Sequence, residues 1–322
     1  MITANDLQGV LAIMPTPAKE GAESLNAINT VDLDETARLA ESLVRDGATG
    51  IMALGTMGEC ATVAQSDYEA YVDCLLKTVN GRIPTFVGTT ALGGHEIARR
   101  IRFVKERGAT GTLLGIPMWQ PATLDMAVEF YASVAETFPD FPIMVYANPR
   151  AFRFAFELDF WKRVVDRAPT IMSAKFSGKG ILREVVAATQ GRVNFVPPIG
   201  LAYEFGQLSP ETATTCWTPS VGPQVALALM TALAARDEQS AKAVADDVAW
   251  AAGPAHAITG SQEVFASYNI QMEKILMGAS GYCKPGPIRP PYNVMPEDFR
   301  QAALESGKRF AKLREKYARP LG

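Results

Sequence analysis

Thr170-Ile171-Met172-Ser173-Ala174-Lys175-Phe176-Ser177-Gly178-Lys179-Gly180 reads as a short buried strand that delivers one lysine at its end. A Gly/Ser turn and a helix from Ile181 to Gln190 follow. Ammonium groups are seldom buried unless paired or used. Two readings are open. Lys175 snorkels to solvent, which is the commoner fate of a strand-end lysine and the favoured one on this stretch alone. Or it is an amine in an apolar pocket, pushed toward its neutral form by desolvation and poised to form a Schiff base with a ketone. The rest of the chain reverses those odds.

Working outward, strands and helices alternate. Gly9 to Met14 is a continuous apolar run stopped by Pro15-Thr16-Pro17, as suits a strand buried on both faces of a parallel sheet. Asp32-Leu33-Asp34-Glu35 has the form of a capping box, and Gly47 is placed to end that helix. Gly47-Ala48-Thr49-Gly50 before Ile51 to Gly55 is echoed by Gly108-Ala109-Thr110-Gly111 before Thr112 to Gly115, two βα units later. Further strands are expected at 83–88, 141–146, 170–175, 192–196 and 213–217. Helices are expected at 65–79, 95–107, 123–137 and 157–167, with a short polar helix or loop at 201–208. Eight βα units in about 235 residues predict an α/β fold, a (β/α)₈ TIM barrel. A doubly wound sheet is the runner-up, without a GxGxxG after the first strand to support it. The predicted division is residues 1–236 as barrel and 237–322 as a C-terminal helical extension packed on it. That extension holds helices at 238–252, 261–279 and 296–317, with a break at Gly253-Pro254 and a proline-rich connection from Lys284 to Tyr292.

Composition narrows the function. The 322 residues carry a net charge of −3 with acids and bases mixed, so nothing marks a nucleic-acid or anionic-membrane partner. No apolar run reaches membrane-spanning length, and no export signal is seen, which predicts a cytoplasmic protein. The four cysteines stand far apart without CxxC, against a disulfide framework or zinc site. With only His95 and His256, both read as surface residues, a Ser/His/Asp triad or histidine metal centre is disfavoured.

In such a barrel the working groups lie at the C-terminal ends of strands. There the sequence offers Gly55-Thr56-Met57-Gly58-Glu59, Gly88-Thr89-Thr90, Gly115 to Trp119, Tyr146-Ala147-Asn148-Pro149, Lys175, and Cys216-Trp217. This is one amine, one phenol, hydroxyls, amides and an aromatic wall, without a carboxylate cluster for a metal. Glu59 is read as a helix N-terminal charge. Each signal alone has a bland account: Tyr146 a half-buried strand tyrosine, the glycines an ordinary turn, Trp119 a core or interface aromatic. Their conjunction on one rim is stronger. It suits a keto acid held by its carboxylate and attacked by Lys175.

These residues resemble the dihydrodipicolinate synthase/N-acetylneuraminate lyase superfamily of class I pyruvate aldolases. Gly55-Thr56-Met57-Gly58-Glu59 is similar to its GT-x-GE motif, Tyr146 to its strand-five tyrosine and Lys175 to its Schiff-base lysine. Ile13 to Pro17, Gly88 to Leu92, Gly115 to Trp119, Tyr268-Asn269-Ile270 and Arg289 to Asn293 resemble the hydratase-aldolase branch, which cleaves benzylidenepyruvates. The resemblance implies a lyase with Lys175 and Tyr146 catalytic. Gly55, Thr56, Met57, Asn148, Trp119 and Asn269 would bind a small-molecule substrate. It implies no cofactor beyond the covalent imine, no metal, and a homotetramer built as a dimer of dimers. The substrate it points to is the ortho-carboxylated benzylidenepyruvate of aromatic-hydrocarbon degradation, with the ortho-hydroxylated one as near alternative and another pyruvate-dependent aldolase or dehydratase of the superfamily as the wider one. Lys179, Arg150 and Arg153 are candidate partners for an aryl carboxylate. One departure stands out: the synthases have a second threonine where this chain has Met57, so their proton relay does not carry over whole, and water or Asn148 would stand in.

Overall fold

In the computed structural model, residues 2–210 and 214–318 are described. Eight strands alternate with helices: β1 Gly9–Met14, β2 Gly50–Ala53, β3 Thr85–Gly88, β4 Gly111–Leu114, β5 Ile143–Tyr146, β6 Ile171–Lys175, β7 Asn194–Val196 and β8 Thr215–Pro219. They pair in parallel in the order β7-β6-β5-β4-β3-β2-β1-β8. The ring closes where the Trp217 N–H donates to the Pro197 carbonyl at 2.9 Å and Pro198 bridges Trp217. The chain therefore forms a (β/α)₈ barrel with helices at its C-terminus. The eighth strand runs two residues beyond the expected end; Ala213, its expected start, lies outside the described residues, as do Met1 and 319–322.

Helices surround the ring: α1 Leu33–Arg45, α2 Gln65–Val79, α3 Gly94–Glu106, α4 Leu124–Thr137, α5 Pro149–Phe152, α6 Leu158–Arg167, α7 Leu182–Thr189, α8 Ile199–Leu208 and α9 Gln224–Ala234. α6 shows why they lie on the sheet. Phe160, Trp161, Val164 and Val165 recur at helical spacing and are buried, while its charged residues face outward. Each such side chain contributes about 1.5–3 kcal/mol by leaving water. The segment 199–208 is a full helix rather than a polar loop, because Ile199, Ala202 and Phe205 form a buried stripe. The expected capping box at α1 is half formed. The Asp32 carboxylate accepts the Glu35 N–H at 2.9 Å, but Glu35 turns to Arg38 and to the Lys284 N–H instead of back to Asp32.

The remaining helices are α10 Glu238–Thr259, α11 Gln262–Ala279 and α12 Glu297–Lys316. The break expected at Gly253-Pro254 does not occur; α10 runs through Pro254, and His256 sits in its last turn. Proline cannot donate to the carbonyl four residues back, which would leave Trp250 unpaired. Arg309 of α12 fills that place, donating to the Trp250 carbonyl at 3.0 Å, and Ser306 accepts the Ala255 N–H at 3.0 Å. No helix among the described residues is long and apolar enough to cross a membrane.

Candidate active site

Tyr146 ends β5, Lys175 ends β6, and the two are register partners. Their side chains meet inside the barrel mouth. The Lys175 Nζ donates to the Tyr146 Oη at 3.5 Å and lies 4.5 Å from the Tyr146 ring and 4.2 Å from the Trp217 ring. Lys175 is only 7% exposed, so the snorkelling reading fails.

Tyr146 has two more partners. Its hydroxyl lies 2.9 Å from the Thr56 hydroxyl and accepts from the Asn148 Nδ2 at 3.4 Å. Burial alone would push the phenol's pKa up. The Lys175 charge and the Thr56 and Asn148 hydrogen bonds outweigh burial and hold it below the ordinary tyrosine value. Asn148 is fixed as the N-cap of α5, its Oδ1 accepting from the Ala151 N–H.

The loop after β2 brings Thr56 and Met57 into place. Leu54 and Glu59 both adopt positive φ, and the chain doubles back so that the Gly58 N–H donates to Gly55 and the Glu59 N–H to Thr56. A Cβ at Gly58 would stand 2.8 Å from the Leu54 backbone, and one at Gly88 would strike the Leu54 carbonyl, so both positions need glycine. The Thr56 and Met57 N–H groups donate to nothing among the described residues, an arrangement that can receive an anion. Gly55 packs beside the Tyr146 ring, where a Cβ would make ordinary contact at 3.5 Å.

Glu59 is not the helix N-terminal charge that the sequence analysis expected. It is fully buried and accepts from the Lys274 Nζ and the Arg289 Nη1, both at 2.6 Å, and from the Arg289 N–H at 2.8 Å. Lys274 belongs to α11, and Arg289 to the proline-rich connection, so this cluster ties the C-terminal helices to the β2 loop. Burial pulls the Lys274 pKa down to about 8, with Glu59 opposing. Sequence spacing gave no sign of it, because the partners lie 215 and 230 residues from Glu59.

A cavity of about 200 Å³ contains the lysine. Met57, Tyr146, Asn148, Lys175 and Asn269 line it together, and Trp217, Phe265 and Glu273 are also in its wall. A second chamber of about 180 Å³ adjoins it, sharing Asn148, Arg150, Phe265 and Asn269. It adds Thr56 and a mostly apolar set that includes Met118, Phe152, Ile270 and Tyr292. Trp119, expected at the substrate, lies outside both chambers and is 77% exposed; its carbonyl accepts from the Arg153 Nη1, and Met118 faces the chamber instead. Phe265 and Glu273 were not expected, although each lies four residues from Asn269 on a predicted helix. His95 and His256 are exposed and away from the site, and no cluster of three or more His, Cys, Asp or Glu residues suited to a metal occurs among the described residues.

Comparison with known proteins places the chain in a family. The dihydrodipicolinate synthetase family profile matches residues 7–194. A trans-o-hydroxybenzylidenepyruvate hydratase-aldolase of Pseudomonas putida is 40% identical, over 99% of this chain and 97% of its own. A trans-2'-carboxybenzalpyruvate hydratase-aldolase of a Nocardioides species is 33% identical, over 99% and 98%. The solved structure of PhdJ bound to a substrate intermediate superposes with a TM-score of 0.95 at 34% identity, over 98% of this chain and 99% of that one. The chain belongs to the dihydrodipicolinate synthetase family and is one of its hydratase-aldolases, a lyase.

Proposed function

We propose that the protein cleaves ortho-substituted benzylidenepyruvates to an aromatic aldehyde and pyruvate through an imine on Lys175, with no cofactor besides that imine. The observation that carries this reading is the buried Lys175 amine, 3.5 Å from the Tyr146 hydroxyl and next to an apolar chamber.

The Thr56 and Met57 N–H groups receive the pyruvyl carboxylate, and the ketone carbon then lies at Lys175. Amine attack gives a carbinolamine, and Tyr146 moves the protons that expel water. The cationic imine draws electrons from the conjugated alkene, so water adds at the benzylic carbon. Retro-aldol cleavage releases the aldehyde, and hydrolysis of the imine releases pyruvate and restores the amine. Asn148, bonded to Tyr146, takes the place in the relay that Met57 cannot fill. The aryl ring belongs in the second chamber.

The ortho substituent divides the reading in two. An ortho-carboxylate wants a cation. Lys179 is paired with Glu204, and Arg153 is bonded to the Trp119 carbonyl, both on the exposed surface. Arg150 lines both chambers, stands 4.0 Å over the Phe265 ring and has no carboxylate partner among the described residues. This favours the ortho-carboxylated substrate. The ortho-hydroxylated alternative is favoured by the higher identity to the Pseudomonas enzyme, 40% against 33%.

Borohydride reduction with pyruvate, read by mass spectrometry, tests the imine: an adduct on Lys175 supports it, and an unmodified chain or an adduct elsewhere counts against it. Loss of the conjugated chromophore, compared between ortho-carboxy and ortho-hydroxy substrates, decides the substituent.

A further inference from the structure

The mechanism above gives Tyr146 the protons at the imine end of the substrate. It assigns no base to the benzylic carbon two bonds away, where water must be deprotonated as it adds and the resulting hydroxyl deprotonated as the carbon–carbon bond breaks. From the cavity geometry, and resting on the reading just given, we infer that Glu273 is that base.

Three observations place it there. Glu273 lines the chamber that holds Lys175 and Tyr146 but not the apolar chamber given to the aryl ring. Its Oε2 is buried and has no hydrogen-bond partner among the described residues. Leaving a buried carboxylate oxygen unpaired costs stability, so a role toward a ligand is the economical account. Finally, Phe265, Asn269 and Glu273 recur every four residues on α11 and form one stripe along the cavity wall. The next residue, Lys274, faces the other way into the Glu59 cluster, which fixes the rotation of the helix.

The charged or titratable groups that share the cavity with Glu273 are Lys175 of β6, Tyr146 of β5 and Arg150 of α5. Burial pushes the Glu273 carboxyl up to about 7, while the Lys175 charge opposes. A base poised near the working pH suits both taking and returning a proton.

The steps balance. The water oxygen bonds to the benzylic carbon, and the alkene pair moves toward the iminium carbon to give an enamine. One water proton passes to Glu273, and that proton is delivered to the neighbouring carbon, which restores the iminium. In cleavage Glu273 takes the proton of the benzylic hydroxyl, and the carbon–carbon pair collapses into the enamine as the aldehyde leaves. The same proton then reaches the enamine carbon. One water is consumed and no oxidant is needed.

The test is Glu273→Gln, isosteric and uncharged. Its kcat at pH 8 should fall about 10²-fold or more, and the ascending limb near pH 7 in the wild-type kcat profile should vanish. Borohydride trapping of pyruvate on Lys175 should persist. Unchanged kcat and pH profile overturn the inference. Loss of trapping together with turnover makes Glu273 a counter-ion of Lys175, which also overturns it. So does an effect confined to KM between ortho-carboxy and ortho-hydroxy substrates. Glu273→Asp keeps the carboxyl and should retain part of the activity with the limb in place; an Asp variant no better than Gln removes the base. If wild-type protein itself is not trapped on Lys175, the imine reading fails, and that result is separate from all of these.

Discussion

Tyr146 and Lys175 face each other across two strands because the β5–β6 register slips by one residue. Ile143 pairs with Ile171, but Met144 pairs with Ser173, so Met172 is the extra residue of a bulge. Tyr146 then meets Lys175. Without the slip Tyr146 would pair with Ala174, and the lysine would point to the opposite face of the sheet.

Lys175→Ala should abolish turnover and borohydride trapping while leaving the far-UV circular dichroism unchanged. Tyr146→Phe should lower kcat about 10²- to 10⁴-fold and reduce trapping far less. Equal loss of both would remove Tyr146 from proton transfer.

The phenol is held below its ordinary pKa partly by the Thr56 hydrogen bond. If Tyr146 must be protonated to act as an acid, activity falls as pH rises through that lowered value. Thr56→Val removes one of the bonds holding it down, so the descending alkaline limb should move to higher pH, with a raised KM for the keto acid. A pH–rate profile checks both effects.

Glu59→Gln leaves two buried cations, Lys274 and Arg289, without their counter-charge. Breaking a buried pair in this way costs about 3–5 kcal/mol. Denaturant unfolding should show that loss, and activity should fall with it, because the same cluster holds both the Thr56 loop and α11.

A carboxyl whose folded pKa is raised destabilises the fold as pH rises, since the folded state then binds protons more tightly than the unfolded chain. For Glu273 that interval runs from the ordinary 4.5 to about 7. Wild type should therefore lose stability across it relative to Glu273→Gln. Thermal unfolding should give the variant a Tm a few degrees higher at pH 8, with the gap closing near pH 4.

Arg309→Ala should expose the unpaired Trp250 carbonyl inside α10. The expected cost is about 1 kcal/mol, together with faster amide exchange around Pro254. No change in exchange there would mean that the helix carries Pro254 unaided.

The sequence alone determined the alternation of eight apolar runs with amphipathic helices, and with it the barrel. It also placed Thr56, Tyr146 and Lys175 at strand ends. Those features repeat over a few residues, and short-range periodicity is written directly in the chain. Only tertiary structure decided the rest. The β5–β6 bulge, the burial of Glu59 by cations more than 200 residues away, the survival of α10 through Pro254, and the turning of Glu273 inward and Trp119 outward all depend on long-range contacts. Strand register and helix rotation are set by what packs on the far side, and no local pattern records them.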